Sequence, residues 1–554
     1  MNLSPLHNTA SSRVFEVPEL LHLICSFAPI SDCARVSRTC RTGLRVSAAL
    51  VWHSTDGRSL LSLLDVTETS RTNKDTGNKI KVMSLPWFSQ VTFSRFDFYT
   101  PYIRKVEVYG ARSTLRPFRV EGWEALTIRA RQRPLLPFLS QIHLLLDGDD
   151  DNDIYQDDAV AWIRTFASPT LSEVHVKSTS NRYPTHLPLL AADVILDAVA
   201  RSCPQLRKLS LFPTRTLGMA PRPLDKLLGF LWRRPYYESL SILITLVELT
   251  CSATMLENDS ILIVGSLPML RRLTIVGPII PVIPDSDVFS MDSFPALRQL
   301  HLAGSHEYAN GLARILSISA LMSRLTRLEL EYWPEDDFSF HPDTMDVLVE
   351  SGAFEQLRNA PHLQSLAFRV DPEERVTPYD IGHLDLMETF SGLSLETIVL
   401  TGVKASAWMS DVNRFQEAWM NMTRVSMPDQ LGSHGVLECF AQLPRLRYLK
   451  IKLFLEAARG YDPEDLSMCL LNTLESSAGG IVPIEPEHLE TLGDYLLELF
   501  PNLDKVVWPR GREEGGQRLD QLMVARRRFV GFLNHYITLK HEVNGLRSEL
   551  ETVW

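Results

Sequence analysis

One arrangement of apolar and polar positions keeps returning along the chain: proline, any residue, aliphatic, two free positions, aliphatic, one free position, apolar. It reads PYIRKVEV from Pro101, PFLSQIHL from Pro137, PTLSEVHV from Pro169, PQLRKLSL from Pro204 and PMLRRLTI from Pro268. It continues as PALRQLHL from Pro295, PHLQSLAF from Pro361, PRLRYLKI from Pro444 and PNLDKVVW from Pro501. Roughly one such match is expected by chance, so nine of them constitute an internal repeat. SRLTRLEL from Ser323, LSLETIVL from Leu393 and MNMTRVSM from Met420 keep the anchors without the proline, and ESLSILIT near Leu240 reads as a degenerate copy with its last anchor spoiled. In PQLRKLSL, Leu209 and Leu211 alternate with Ser210 as in a strand, so Ser210 faces the other side. The proline ends the preceding helix, because it cannot donate to it and biases the residue before it toward extended geometry.

The stretches between phrases carry helical spacing. LLAADVILDAVARSC places Leu190, Val194, Ile195 and Val199 near one face, and AVAWIRTFA, GLARILSISALMSRL and HLETLGDYLLELF behave alike. Each unit is therefore helix, proline, short strand, repeating every ~24 to 38 residues, with a longer last step from Pro444 to Pro501 that predicts an insertion. A lone unit cannot bury its leucines; stacked units share a core. The pattern resembles a leucine-rich-repeat solenoid over 101–509, although the Asn or Cys of the standard repeat is missing after most strands. The resemblance implies an α/β solenoid with parallel strands on the concave side and helices on the convex side. A doubly wound α/β enzyme also alternates strands and helices, but it does not repeat one phrase a dozen times.

Ahead of the repeats stands VFEVPELLHLICSFAPISDCARVSRTCRTGLRVSAALVW. Pro18 suits a first helical turn, Glu19 is favourable beside that N-terminus, and Leu20, Leu21 and Ile24 make an apolar stripe. Ser31 and Asp32 can cap a second helix carrying Val36, and a third segment runs through Leu44 and Val46 to Trp52. About forty residues is little for an independent core, so this module wants a covering partner or a place as a cap on the repeats. The order Val17-Pro18-Glu19-Leu20-Leu21, Ile24, Cys40-Arg41, Leu50-x-Trp52 resembles the F-box, and the whole chain resembles the F-box proteins of mushroom-type fungi. That resemblance implies docking on the Skp adaptor of a cullin–RING ubiquitin ligase, through Val17, Pro18, Leu20, Leu21, Ile24, Val36, Cys40 and Trp52. The expected division is 14–54 for the F-box-like module, 55–95 for a connecting segment, 96–510 for the solenoid and 511–554 for a C-terminal amphipathic helix.

Composition narrows the function. The chain has 554 residues, 22% of them charged, and a formal net charge of −11, which disfavours a general nucleic-acid binder. No apolar run reaches the ~20 residues of a membrane span, no secretory signal is legible, and seven sparse cysteines without a C-x-x-C point to reduced thiols in the cytoplasm or nucleus. His22, Cys25, Cys33, Cys40 and His53 lack the paired short spacing of a zinc knuckle and read as core cysteines and their neighbours. DGDDDNDIYQDD, from Asp147 to Asp158, puts acids at calcium-loop positions but has Asn152 where the turn glycine belongs, and reads better as an acidic loop before a helix. No nucleophile elbow, phosphate-binding glycine loop or HExxH is present, so neither catalysis nor a cofactor is expected. Phe529, Phe532, Tyr536, Leu539, Val543, Leu546 and Leu550 form a heptad, expected to pack back as a terminal cap.

The polar positions between anchors supply the expected target-binding surface: His175, Lys177, Arg272, His301, Glu329, Glu331, Arg369, Lys450 and Lys452, with Trp333 just after a strand as an anchor. Their mixed charge suits a protein target rather than a membrane or nucleic acid. The function so implied is substrate recognition for a Skp–cullin–F-box ligase, with an unidentified target protein on the solenoid. The alternative is a leucine-rich interaction scaffold unconnected to ubiquitin.

Overall fold

The computed structural model describes residues 17–72, 79–87, 92–109, 118–146, 153–178, 187–214, 238–256, 260–277, 286–304, 309–333, 351–370, 378–381, 386–405, 412–453, 469–477, 486–507 and 517–553. They fall into two compact units, the first comprising Met1–Gly277 with Phe294–Ala296 and the second Pro278–Ser293 with Leu297–Trp554. Each unit is built on parallel strands laid down in chain order. In the first these are Ser54–Asp56, Lys105–Val108, Gln141–Leu146, Glu173–Ser178, Lys208–Leu211, Glu248–Ser252 and Arg272–Val276. In the second they are Gln299–Gly304, Arg327–Tyr332, Ser365–Val370, Thr397–Thr401, Arg424–Gly432, Tyr448–Leu453, Thr473–Ser476 and Lys505–Val507. Parallel strands in strict chain order, all but Thr473–Ser476 reached through a described helix or 3₁₀ turn, are the repeat expected of an α/β leucine-rich-repeat solenoid.

The phrase explains the ladder residue by residue. Its first aliphatic residue donates its N–H back to the carbonyl just before the proline, as in Leu206 to Cys203 (3.1 Å), Leu171 to Ser168 (3.0 Å) and Leu503 to Phe500 (3.0 Å). The proline thus occupies the second position of a tight turn, where its fixed φ is welcome and its missing N–H costs nothing. The fourth residue then repeats one bond scheme: its carbonyl accepts from the fourth and fifth N–H groups of the next rung. Arg104 accepts from Ser140 and Gln141, Ser140 from Ser172 and Glu173, and Ser172 from Arg207 and Lys208. In the second unit Thr326 accepts from Gln364 and Ser365, and Thr423 from Arg447 and Tyr448. Hydroxyls reinforce the scheme, since Ser140, Ser172, Thr326 and Thr423 also donate to the preceding rung's fourth carbonyl at 3.0 to 3.2 Å. These bonds satisfy backbone acceptors in repeats that lack the usual Asn or Cys.

Two rungs correct the sequence reading. The copy near Leu240 lies one turn too early: Leu240 and Leu243 bury from a 3₁₀ segment, Glu238–Ile242, and the strand is Glu248–Ser252. Register pairs Leu249 with Leu209 and Cys251 with Leu211, so the phrase is ITLVELTC from Ile244 with all anchors intact. The long step from Pro444 to Pro501 contains a further rung, CLLNTLES from Cys469, whose Leu474 pairs with Leu449 and whose Ser476 replaces the last aliphatic anchor. The segment GLARILSISALMSRL, read as one helix, is two, Ala309–Leu316 and Ser319–Met322, parted at the extended and fully buried Ile318.

Among the described residues three helices precede the first rung: α1 (Pro18–Phe27), α2 (Ile30–Val36) and α3 (Arg41–Val51). Leu21, Cys25 and Cys33 form their core, with Ala28, Val36, Val46, Leu50 and Val51 packed around it. Cys40 caps α3 by accepting from the Gly43 N–H at 3.2 Å. The 55–95 segment contributes two strands of a small separate sheet, Thr67–Thr72 antiparallel to Lys79–Ser84, and the latter pairs in parallel with Phe118–Glu121.

At the other end a single helix, Gln517–Val553, packs on the last rung. Leu533 and Ile537 are buried, Asn534 both accepts from the Val506 N–H (2.8 Å) and donates to its carbonyl (3.0 Å), and Tyr536 bonds Asp494 at 2.8 Å. A side-chain amide therefore occupies an edge strand that would otherwise offer itself to another chain. The inward stripe is not the heptad: of the heptad residues Phe532, Leu539, Val543 and Leu546 are exposed, and the side chains of Phe529 and Leu550 lie outside the described residues.

Candidate functional site: an apolar helix face and two polar strand faces

Helix α1 has two opposite faces, and both are apolar. Inward it presents Leu21 and Cys25, each 2% exposed. Outward it presents Leu20, Leu23, Ile24 and Phe27, spaced as one helix face, with Ile30 beyond. Leu23 is 55% exposed, Ile24 54%, Phe27 85% and Ile30 67%. Among the described residues these side chains stay exposed, leaving an apolar face on a small module.

The residues read from sequence as adaptor contacts divide accordingly. Val17, Pro18, Leu20, Ile24 and Cys40 are exposed. Leu21 is core. Val36 is half-buried against that core, and Trp52 is half-buried, its ring stacked on Tyr99 at 4.5 Å. Leu21 and Val36 help hold the module together, and Trp52 ties it to the helix Ser94–Tyr99 that leads to the Lys105–Val108 strand. Leu23, Phe27 and Ile30 are additions from the structure; continuing the three–four spacing from Leu20 finds the first two.

On the strand face of the first unit, His175 is the register partner of His143 on one side and of Ser210 on the other. The two imidazoles meet edge to face at 4.6 Å, and His175 Nδ1 lies 2.8 Å from Ser210 Oγ. Glu173, two residues earlier on the same face, stands 3.7 Å from His175 Nε2 and 3.4 Å from Lys208 Nζ. Glu248 comes next, 3.9 Å from Lys208 and 3.2 Å from Arg272. The side chain of Lys177 lies outside the described residues.

On the strand face of the second unit, the expected target residues are mostly engaged with one another. Glu331 takes the Trp333 indole N–H at 2.9 Å and lies 3.3 Å from His301. The His301 imidazole beside it, with help from the Trp333 N–H and the nearby Arg369 charge, holds its carboxyl below the usual range despite partial burial. Trp333 is thus tied down by its own rung. Glu329 accepts from Arg327 Nε at 2.7 Å, and Arg369 is exposed. Two rungs beyond the Thr397–Thr401 strand, Lys450 meets Glu475 at 2.6 Å and the Tyr448 hydroxyl donates to Glu475 at 2.5 Å, under Arg424 stacked 3.9 Å over the Tyr448 ring. Desolvation, and then the Glu475 carboxylate, push the Tyr448 phenol up to about 12. Lys452 is half-buried beside this group. The phrase alone does not point to Tyr448, Glu475 or Arg424: Tyr448 and Arg424 are the first residues of their strands, at a free position of the phrase between its first two anchors.

Asp158, the last acid of the supposed calcium loop, belongs to the helix Asp153–Phe166 and turns inward. Its carboxylate accepts from the Val120 N–H at 3.0 Å and faces the Trp123 indole (3.5 Å) and the Tyr109 hydroxyl (3.4 Å). It serves the fold and offers no loop ligand; residues 147–152 lie outside the described residues. Cys25 and Cys33 are core, while Cys40, His22 and His53 are exposed. Among the described residues no helix is long and apolar enough to cross a membrane.

No family model matches the chain. No curated protein matches it either. Among solved structures it is similar to an internalin from Listeria monocytogenes, at 12% identity and a TM-score of 0.28, covering 61% of this chain and 81% of that one. It is similar to the leucine-rich-repeat ectodomain of the Arabidopsis receptor kinase HAESA, solved with a peptide hormone, at 10% identity and a TM-score of 0.26, covering 77% of this chain and 60% of that one. A third is the complex of Rad7 and Elc1 in yeast, at 12% identity and a TM-score of 0.28, covering 94% of this chain and 100% of that one. The fold assignment rests on the ladder itself.

Proposed function

We propose that this leucine-rich-repeat scaffold is the substrate-recognition adaptor of a Skp–cullin–F-box ubiquitin ligase. The helical module docks on the Skp adaptor, and the polar strand faces hold a target protein. The observation that carries the reading is the outward apolar face of α1, Leu20, Leu23, Ile24 and Phe27 with Ile30, on a module whose own core is already satisfied by Leu21, Cys25 and Cys33. The mechanism is tethering: a target held on the scaffold is brought to a high effective concentration near a transfer site carried by other subunits. The paired charges and fixed aromatic side chains of the strand faces suit a structured protein surface, because their geometry is set before the target arrives. No catalytic group on this chain is needed.

A second reading, a scaffold unconnected to ubiquitin with α1–α3 as an end cap, is favoured by one observation. The module runs directly into the first rung, Ser54–Asp56, and Trp52 stacks on Tyr99. Capture by purified Skp adaptor separates the two. The double variant Leu23→Asp, Phe27→Asp is expected to lose capture with its melting curve unchanged, while Leu190→Asp, at an exposed leucine elsewhere, keeps it. No capture by the wild-type chain, or equal capture by the double variant, sinks the adaptor reading.

A further inference from the structure

We propose that His143, Glu173 and His175 bind a zinc ion on the strand face of the first unit, leaving a fourth position open to water. The two histidines occupy the same position of successive rungs, QIHL and EVHV, and are register partners on adjacent parallel strands. Glu173 precedes His175 by two residues and therefore shares its face. One ligand atom from each, an imidazole nitrogen from the histidines and a carboxylate oxygen from Glu173, lie within 4.8 Å of one another.

The surrounding groups point the same way. Ser210 Oγ sits 2.8 Å from His175 Nδ1. In the tautomer whose Nδ1–H donates to this hydroxyl, the Nε2 lone pair lies on the Glu173 side, as a metal-bound histidine requires. The Nε2 to Glu173 Oε2 distance is 3.7 Å, beyond an ordinary hydrogen bond. Two ligands about 2.0 to 2.1 Å from a tetrahedral ion stand about 3.4 Å apart, so the gap is close to that of a ligated pair. Lys208, 3.4 Å from Glu173 Oε1, engages the other carboxylate oxygen and favours a monodentate ligand. On the far side of His143 lies its register partner Glu107, paired with Lys105 at 2.5 Å. All three ligands are half-buried, with the side chains of His175 15% and Glu173 20% exposed, so the group is not sealed from water. Two imidazoles and one carboxylate with an open position are a recognised zinc donor set. No short-spacing motif could reveal it, because the repeat length separates His143 from Glu173 and His175 in sequence and the ladder rejoins them.

Chelator-stripped full-length protein is titrated with zinc chloride by calorimetry, and with cobalt(II) followed by visible absorption. One equivalent of zinc and an intense tetrahedral cobalt band are expected, with melting raised by zinc. His143→Ala, His175→Ala and the near-isosteric Glu173→Gln are expected to lose binding and the melting rise while keeping the metal-free melting curve; Ser210→Ala is expected to weaken binding by at least about tenfold. Absence of saturable zinc binding by the wild-type chain overturns the proposal. So does undiminished binding in Glu173→Gln and both histidine variants, which would put the ion on other histidines or cysteines.

Discussion

Leu21 and Leu23 stand two residues apart on α1 and do opposite work, and replacing each by alanine measures the difference. Leu21 is 2% exposed against Cys25, Cys33 and their apolar surround. Leu21→Ala removes three carbons, about 2.4 kcal/mol of transfer free energy at ~0.8 kcal/mol per carbon. The cavity adds to that within the ~2 to 5 kcal/mol seen for such changes, and a small cluster relaxes easily, so about 3 kcal/mol is expected. Leu23 is 55% exposed, and its truncation falls within about 0.5 kcal/mol of neutral. The assay is native-state hydrogen exchange on peptides covering 18–51, because the module opens locally and a global melt of so long a repeat array is not a single transition. At ~1.4 kcal/mol per tenfold, Leu21→Ala speeds exchange there by about 150-fold and Leu23→Ala leaves it near wild type. Exchange at the Glu173–Ser178 rung is unchanged in both. Equal effects of the two substitutions, or a larger one for Leu23, would refute the orientation of α1 and the docking surface drawn from it.

Gly402 has φ +73°, a Cβ there would collide with the Val370 carbonyl, and its N–H donates to Asp429 at 2.6 Å. Gly402→Ala is expected to cost about 2 kcal/mol or more in urea unfolding of the second unit, and a neutral result would contradict the backbone described. Burial away from water pushes the Asp158 carboxyl up from 3.8 to about 6, against the opposing bond from Val120. The folded chain then holds a proton that the unfolded chain releases, so this contribution is complete below pH 3.8 and is lost as pH rises through about 6. The gap corresponds to roughly 3 kcal/mol, and Asp158→Asn is expected to flatten the fall in stability of the first unit across that window. An unchanged slope would mean that Asp158 titrates normally.

The strands are legible because their anchors are aliphatic and their turn is marked by proline. Where either mark changes, legibility fails. Ile244 stands in the proline's place, and Leu240 offers a rival start a few residues earlier; Cys469 and Ser476 replace both ends of another phrase, so a whole rung reads as an insertion. Ser54–Asp56 has Thr55 and Gly57 where other rungs have aliphatic anchors, and Gly57 is there because the Trp162 ring lies 3.1 Å from where its Cβ would be. The small sheet of Thr67–Thr72 and Lys79–Ser84 has no phrase at all. For the sites, sequence spacing locates α1 but cannot tell its inward from its outward leucines, since both sets are apolar. Nor does spacing reveal that residues a repeat length apart are neighbours. The C-terminal heptad is real as a pattern, yet packing favours Leu533 and Ile537, with Asn534 on the strand edge, over the longer apolar seam.

The bond scheme of the fourth residue has a bearing on how such a chain diversifies. Rung-to-rung cohesion uses main-chain atoms, turn hydroxyls and inward aliphatics, and asks almost nothing of the two outward side chains on each strand. Those outward letters can be rewritten singly without retuning the fold, and the step from the start of one phrase to the start of the next already ranges from 24 residues (Ile244 to Pro268) to 40 (Pro204 to Ile244) at constant strand register. Selectivity for a new target can therefore drift by substitution on the outward letters while the architecture beneath stays put.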